Sequence, residues 1–186
     1  MPRYRVCLCA LACFLASMLV TFADPAESDE HLVDTARRLF ASDGQASTQT
    51  FREFFENAEA GKTTNLNSMD PGKEDPASSK DWSINRNIPA AWIQWLCTDR
   101  KASAKVGAQL ELDYARIAGD LDLTGAKIPF SLVFSKCAFT GRIVLNKATI
   151  QGLTLQSTFI EGVDATSLSV KQNLWFSDGC SANRTV

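Results

Sequence analysis

Residues 119–145, GDLDLTGAKIPFSLVFSKCAFTGRIVL, decide the fold of this chain of 186 residues. The stretch contains three pairs of apolar residues, and a single residue separates the two members of each pair. Each pair begins eleven residues after the previous one, and the pairs are Leu121/Leu123, Leu132/Phe134 and Ile143/Leu145. Alternation of this kind predicts a short strand whose two apolar side chains point to the same side.

The same pattern extends over residues 104–186 as seven units of ten or eleven residues. One apolar residue precedes each pair by three or four positions, and this series is Val106, Ile117, Ile128, Phe139, Ile150, Ile160 and Val170. A residue that is usually small stands two positions before each member of the series. Glycine stands two positions after four of the seven members. The agreement of several positions over seven units establishes an internal repeat.

The spacing favours strands over helices. A helix needs apolar residues three and four positions apart, and a glycine inside each unit would destabilise it by about 1 kcal/mol. Glycine and small polar residues between the pairs predict tight corners. Because one unit turns only part of a circle, we expect two units to form one coil of about 21 residues. Seven units then predict a mainly β chain, with about 3.5 coils stacked as a parallel β-helix.

Residues 24–61 predict two amphipathic helices. Ser28 is the expected N-cap of the first helix. The second opens with Thr50 and Glu53 at the spacing of a capping box and ends at Gly61.

Residues 62–86 are rich in Asn, Ser, Pro, Gly and Lys, and this composition predicts a polar linker. Residues 87–98 then predict a third helix. Its segment AAWIQWLC is apolar almost all round, which is typical of a buried helix. Since the first coil needs a cover over its strand edges and apolar interior, we predict that this helix caps it. The predicted cap residues are Trp92, Trp95 and Leu96.

Residues 1–23 have the parts of a secretory signal peptide. Arg3 and Arg5 precede a long apolar run, and the small residue Ala23 closes it before a polar segment. We therefore expect cleavage after Ala23 and a periplasmic or secreted protein. The alternative is a chain anchored in the membrane by residues 6–22, because the run is only slightly shorter than a membrane-spanning helix.

Composition and charge narrow the function classes. The net charge is −2 and no basic run occurs, so the chain lacks the electrostatic character of a nucleic-acid-binding protein. After the predicted signal peptide only three cysteines and one histidine remain, and the spacing of Cys97, Cys137 and Cys180 matches no zinc pattern. We therefore predict no metal and no cofactor.

The order of these segments resembles a family. Four segments are similar to segments of uncharacterised bacterial envelope proteins with pentapeptide-like repeats. They are AAWIQWLC (90–97), ARIAGDLDL (115–123) with its motif A-x-I-x-G-x-L-x-L, IPFSLVFSKCAFTG (128–141) and LWFSDGCSAN (174–183). The resemblance covers residues 82–186 and implies a right-handed quadrilateral β-helix associated with the cell envelope. Some relatives are labelled membrane-associated oxidoreductases. No G-x-G-x-x-G follows a strand here, so the chain gives that label no support.

Two groups of side chains are candidate ligand or partner surfaces. The acidic residues Asp113, Asp120 and Asp122 lie close together in sequence, and such a group suits Ca²⁺ or a polysaccharide-cleaving site. A solvated corner of an acidic protein gives the same pattern, and we favour that interpretation. The second group occupies outward positions within the pairs, where an apolar side chain indicates a contact surface. Its members are Val133, Val144 and Trp175.

These observations predict a secreted or periplasmic β-helical protein that binds or scaffolds an unidentified protein or envelope component. The alternatives are a carbohydrate-active β-helix enzyme and a membrane-anchored envelope protein. The repeat stops without finishing an eighth unit, so we expect Leu174 and Phe176 to lie at an uncovered end of the β-helix. Either the chain is a truncated member of a longer family or a partner covers this end, most simply a second copy. In both cases we expect the chain to self-associate through its last coil.

Overall fold

The computed structural model describes residues 30–69, 71–177 and 180–182, so the predicted signal peptide and Ser28 lie outside the described residues. Among the described residues before Gln109 lie the helices α1 at Leu32–Leu39, α2 at Gln49–Ala60, α3 at Ala90–Thr98 and α4 at Arg100–Lys105, together with short 3₁₀ turns. The strands are β1 Thr63–Asn65, β2 Asn87–Pro89, β3 Gln109–Asp113, β4 Arg116–Ala118, β5 Leu121–Asp122, β6 Lys127–Ser135, β7 Ala138–Phe139, β8 Ile143–Val144, β9 Thr149–Gln156, β10 Phe159–Ile160, β11 Val163–Asp164, β12 Ser169–Val170, β13 Leu174–Ser177 and β14 Ser181–Ala182.

The strands stack in parallel as a β-solenoid of about three turns, as the repeat predicts. Leu110 lies beside Leu132 and Leu132 beside Leu153, so that one coil takes 22 and then 21 residues. Two units therefore form one coil. The three sheets have the strand orders β1-β3-β6-β9-β12 with β13 also on β9, β14-β10-β7-β4-β2, and β11-β8-β5.

The long strands β6 and β9 pair with each other over two separate stretches. The register between them shifts between Ile128 and Ser131. The longer side of the solenoid consists of β1, β3, residues 131–135, residues 152–156 and β13, and we call its outward surface the long face. The sheets formed by β4, β7 and β10 and by β5, β8 and β11 make two further sides.

Leucine, isoleucine and phenylalanine side chains fill the interior in rows that run from coil to coil. Leu112, Phe134 and Leu155 form one such row, and each is at most 1% exposed. Phe134 also meets Phe139 edge-on, with the ring centroids 5.1 Å apart. Burial of these rows between coils is the main source of stability in a repeat fold of this kind.

The corners use left-handed backbone where the sequence analysis expects glycine. A residue with positive φ ends each unit, and these residues are Tyr114, Gly125, Lys136, Lys147, Ser157 and Ser167. Only Gly125 is a glycine, although the left-handed region costs other residues about 1–2 kcal/mol. Packing of the inward rows on either side of the corner therefore overrides the local preference.

Gly141 serves a different purpose from a corner glycine. Its φ is not positive, but a Cβ at this position would lie 2.6 Å from the carbonyl carbon and oxygen of Gly119 in the previous coil. The coils approach closely here and leave no room for a side chain, whereas Gly119 at the same repeat position has a φ of +92° and a Cβ there would meet no atom within 4 Å.

Residues 62–86 are not a polar linker, which corrects the composition-based prediction. β1 pairs with β3, and β2, which follows directly, pairs with β4. Leu66 and Arg86 are fully buried. The segment is ordered because the first coil has strand edges whose backbone groups need hydrogen-bonding partners, and composition does not reveal that need. The β-solenoid correspondingly begins at Gln109 and not at residue 104, because α4 continues to Lys105.

The start of α2 also differs from the sequence prediction. The N-cap is Thr48, whose Oγ1 accepts a hydrogen bond from the Phe51 backbone N–H at 3.1 Å. The predicted capping box at Thr50 and Glu53 is therefore wrong by two residues. Thr50 is buried instead, and its hydroxyl donates to the Asn85 carbonyl oxygen at 2.6 Å.

The helix α3 lies between the two preceding helices and the first coil. It contacts β5 and β6 of the solenoid. On its other side, Trp92 packs against Phe51 and Phe55 of α2, with ring centroids 5.0 and 5.6 Å apart, and Trp95 packs against Phe55 at 5.8 Å. Trp92 and Leu96 are fully buried. The strand edges themselves are covered by β1 and β2, so α3 covers the interior while the two strands cover the edges.

Candidate functional site

Polar side chains line the long face in rows that run along the solenoid. One row consists of Thr63, Glu111, Val133, Thr154 and Trp175, each the lateral neighbour of the next. A parallel row consists of Asn65, Asp113, Ser135, Gln156 and Ser177. Since parallel strands lie about 4.8 Å apart, each row is a regular ladder of side chains with that spacing.

A shallow depression of about 280 Å³ lies where these rows reach the last coil. It is lined by Thr154, Gln156, Asn173, Trp175 and Ser177. The Trp175 side chain is 59% exposed, in contrast to Trp82 and Trp92, which are at most 5% exposed. The lining combines one aromatic ring with hydroxyl and amide groups, and none of the five residues carries a charge.

The structure separates the outward residues that the sequence suggests as one contact surface. Val133 and Trp175 lie in the same row of the long face, two coils apart. Val144 lies on another side of the solenoid, between Asp122 and Asp164. The three residues therefore do not form a continuous patch.

Asp113 ends β3 on the long face and is half-buried. Burial and the neighbouring charge of Glu111 raise the pKa of its carboxyl group, while a hydrogen bond from Ser135 and the charge of Lys136 act in the opposite direction. Asp113 belongs to the sheet of β3 and Asp122 to the sheet of β5, so the structure does not bring the three acidic residues together as one site.

Asp120 and Asp122 brace corners of the solenoid. Oδ1 of Asp120 accepts a hydrogen bond from the Arg142 backbone N–H at 2.8 Å, across to the next coil. Oδ1 of Asp122 accepts from the Thr124 backbone N–H at 2.9 Å, and hydrogen bonds from Thr124 lower the pKa of Asp122. Within residues 30–69, 71–177 and 180–182, no three His, Cys, Asp or Glu side chains lie close enough together to hold a metal ion.

A buried cation cluster lies on the first coil, and the sequence analysis does not identify it. The Arg86 guanidinium lies 4.7 Å from the Trp82 ring centroid and 5.8 Å from that of Tyr114. Its nitrogens donate to the carbonyl oxygens of Lys73 at 2.7 Å and Asn67 at 3.2 Å. Arg86 therefore fastens residues 67–82 to the solenoid. A leucine, a tryptophan and an arginine in a segment of mainly polar composition (Leu66, Trp82 and Arg86) are the signal that this segment packs.

Lys136 extends this cluster to the surface. Its Nζ donates to the Tyr114 hydroxyl at 2.6 Å and lies 3.9 Å from Oε2 of Glu74. The hydrogen bond to Tyr114 is the main cause of a raised pKa at Lys136. This arrangement ties Glu74, in the segment before β2, to the second coil.

The last coil exposes residues that belong to the interior rows. Leu174 and Phe176 continue the rows of Leu153 and Leu155, yet their exposed fractions are 51% and 49%. In the part of the chain that the structure describes, β11, β12, β13 and β14 are the outermost strands of their sheets at this end.

Among the described residues, no helix is long and apolar enough to cross a bilayer. Comparison of the chain with protein-family models, with curated proteins and with solved structures finds no match.

Proposed function

We propose that this chain is a binding or scaffolding protein of the bacterial cell envelope and belongs with the pentapeptide-like repeat proteins that it resembles. In this proposal residues 1–23 direct its export and it acts in the periplasm or outside the cell. The main support is the parallel β-solenoid itself, whose last described coil exposes the apolar residues Leu174 and Phe176. In this proposal Asp120 and Asp122 have a structural role, since each accepts a backbone hydrogen bond at its corner.

The partner that fits this end most simply is a second copy of the same chain. Two identical ends related by a twofold axis bring the same apolar residues together, and each also offers the other an open strand edge. Burial of Leu174 and Phe176 removes from water side chains worth about 1.5–3 kcal/mol each when fully buried. At the opposite end of the solenoid, β1 pairs with β3, β2 pairs with β4 and α3 contacts β5, so the first coil is already covered by the chain itself.

Sedimentation of the purified chain over a range of concentrations tests this proposal. We expect a dimer that Leu174→Lys weakens at least about tenfold, because a lysine in the contact loses apolar burial and adds a charge. Leu39→Lys makes the same substitution at a leucine of α1 with a similar exposed fraction, 57% against 51%, and is the matched control. A chain that stays monomeric at high concentration, or a dimer that Leu174→Lys leaves intact, would contradict association through this end.

Export is tested separately by the mass of the protein recovered from the periplasm of a bacterial host. Cleavage after Ala23 supports a secreted or periplasmic protein. An intact N-terminus in the membrane fraction supports the alternative in which residues 6–22 anchor the chain.

A further inference from the structure

We propose that the depression beside Trp175 binds a neutral sugar unit of a glycan. This inference goes beyond association through the last coil and rests on a different surface. Side chains alternate along a strand, so Trp175 points outward from the long face while Leu174 and Phe176 follow the interior rows. The lateral surface and the end of the solenoid can therefore be occupied independently.

The aromatic ring provides the first half of the recognition. A pyranose ring has an apolar face of C–H groups, and such a face packs well on a large exposed aromatic side chain. Trp175 is 59% exposed and lies next to Thr154 in the register between β13 and β9. The ring is thus open to a ligand that approaches across the long face.

The rim of the depression provides the second half. Hydroxyl and amide groups both donate and accept hydrogen bonds, which matches the hydroxyl groups around a sugar ring. Thr154, Asn173 and Ser177 bring three such side chains to the edge of the depression. Because none of the five described lining residues is charged, the site suits an uncharged ligand better than a phosphate, a uronic acid or an acidic peptide.

The size of the depression limits the ligand to about one sugar unit. Its volume of about 280 Å³ lies just below the range of about 300–1,000 Å³ that is typical of pockets for drug-sized molecules. The depression is open, so that neighbouring units of a longer glycan extend along the polar rows of the long face. The row through Gln156 and Ser135 continues at about 4.8 Å per coil in that direction.

The test uses two neutral oligosaccharides, cellohexaose and tetra-N-acetylchitotetraose, with an oligogalacturonide of similar length as the charged comparison. Binding is followed by calorimetry and by the indole N–H signals of the four tryptophans in the NMR spectrum. We expect at least one neutral oligosaccharide to bind and to shift the Trp175 signal. The signals of the buried Trp82 and Trp92 should stay in place.

Variants locate the site. We expect Trp175→Ala to lower the affinity at least about tenfold, and Trp175→Phe to lower it less because an aromatic face remains. Ile84→Ala removes an exposed apolar side chain elsewhere and should leave binding unchanged. Leu174→Lys should also bind as the wild type does, which separates this site from association through the end. Thermal melting of each variant establishes that it is folded.

Three results would overturn the proposal. The first is that neither neutral oligosaccharide binds at millimolar concentration. The second is that Trp175→Ala binds as tightly as the wild type, and the third is that the oligogalacturonide binds more tightly than the neutral oligosaccharides. If Trp175→Ala does not fold, the comparison of Trp175→Phe with the wild type and the Trp175 signal itself still decide the question.

Discussion

Replacing Gly141 with alanine tests how closely the coils of the solenoid approach each other. The new Cβ would lie 2.6 Å from the carbonyl carbon and oxygen of Gly119 and 2.5 Å from Oδ1 of Asp120. Two of these atoms belong to the backbone, so rotation of a side chain does not relieve the collision. The hydrogen bond from the Arg142 N–H to Asp120 crosses the same gap and is disturbed as well.

The expected loss of stability follows from this geometry. The coils must separate locally by nearly 1 Å, against a strand spacing of about 4.8 Å. Overpacking of this kind costs about 1–3 kcal/mol, and the reduced freedom of the unfolded chain returns about 0.4–1 kcal/mol. We therefore expect the free energy of unfolding to fall by about 2 kcal/mol. For a chain of this size, that change lowers Tm by about 4–8 °C.

Thermal melting followed by circular dichroism measures this effect, and Gly162→Ala is the matched control. Gly162 occupies the same position of the repeat one coil later, but its Cβ would meet only Nε of Arg142 at 3.8 Å, an ordinary contact. We expect Gly162→Ala to melt near the wild type. Equal melting temperatures for the two variants would refute the conclusion that the glycine at 141 is required by close stacking.

Trp92→Asp should lower the free energy of unfolding by more than about 4 kcal/mol, because it removes a fully buried ring that packs on Phe51 and buries an unpaired charge. Urea denaturation measures the loss, and an unchanged midpoint would exclude the role of α3 as a cap. Burial raises the pKa of the Cys137 thiol to about 12, so between about pH 9 and 12 the unfolded chain releases a proton that the folded chain keeps, and this thiol lowers stability by about 1 kcal/mol per pH unit. The buried thiol of Cys97 has a raised pKa as well and adds a fall in the same direction. Cys137→Thr should reduce the fall in stability with pH, measured by urea titrations between about pH 9 and 10.5. Threonine is chosen because Thr158 fills the same position one coil later and donates to a backbone carbonyl in the same way. An unchanged slope would contradict a raised pKa at Cys137. Arg86→Lys should lower the free energy of unfolding by at least about 1 kcal/mol, because an ammonium group does not reproduce the stacking of the guanidinium on Trp82. Calorimetry measures the difference, and equal stability would show that the stacking contributes little.

The sequence predicts the coil of the solenoid well, because its signal is the burial of apolar pairs at a fixed spacing. Leu110, Leu132 and Leu153 repeat at the length of one coil, and packing of one coil on the next requires that repetition. The repeat pattern does not predict the strands β1 and β2. These strands have three residues each, and they are defined by hydrogen bonds to the first coil rather than by a pattern of their own.

The candidate surfaces are harder to predict for a geometric reason. Val133 and Val144 stand eleven residues apart at the same position of successive units, so the sequence presents them as equivalent. Successive units lie on different sides of the solenoid, and only every second unit lies on the same side. Asp113 and Asp122 are separated for the same reason. Neighbours on the surface are therefore found 20 to 22 residues apart, as with Thr154 and Trp175.

The two halves of each coil are unequal, and this has a consequence for how such a chain can change in length. One half carries the long strands β3, β6, β9 and β13, and the other carries the short strands that begin with β4 and β5. Duplication of a single unit of eleven residues would set a short strand against a long one and leave backbone groups of the long strand without partners. Duplication of a whole coil preserves every pairing. Growth of this architecture at the level of the gene is therefore restricted to steps of one whole coil, 20 to 22 residues, each of which lengthens the molecule by about 4.8 Å.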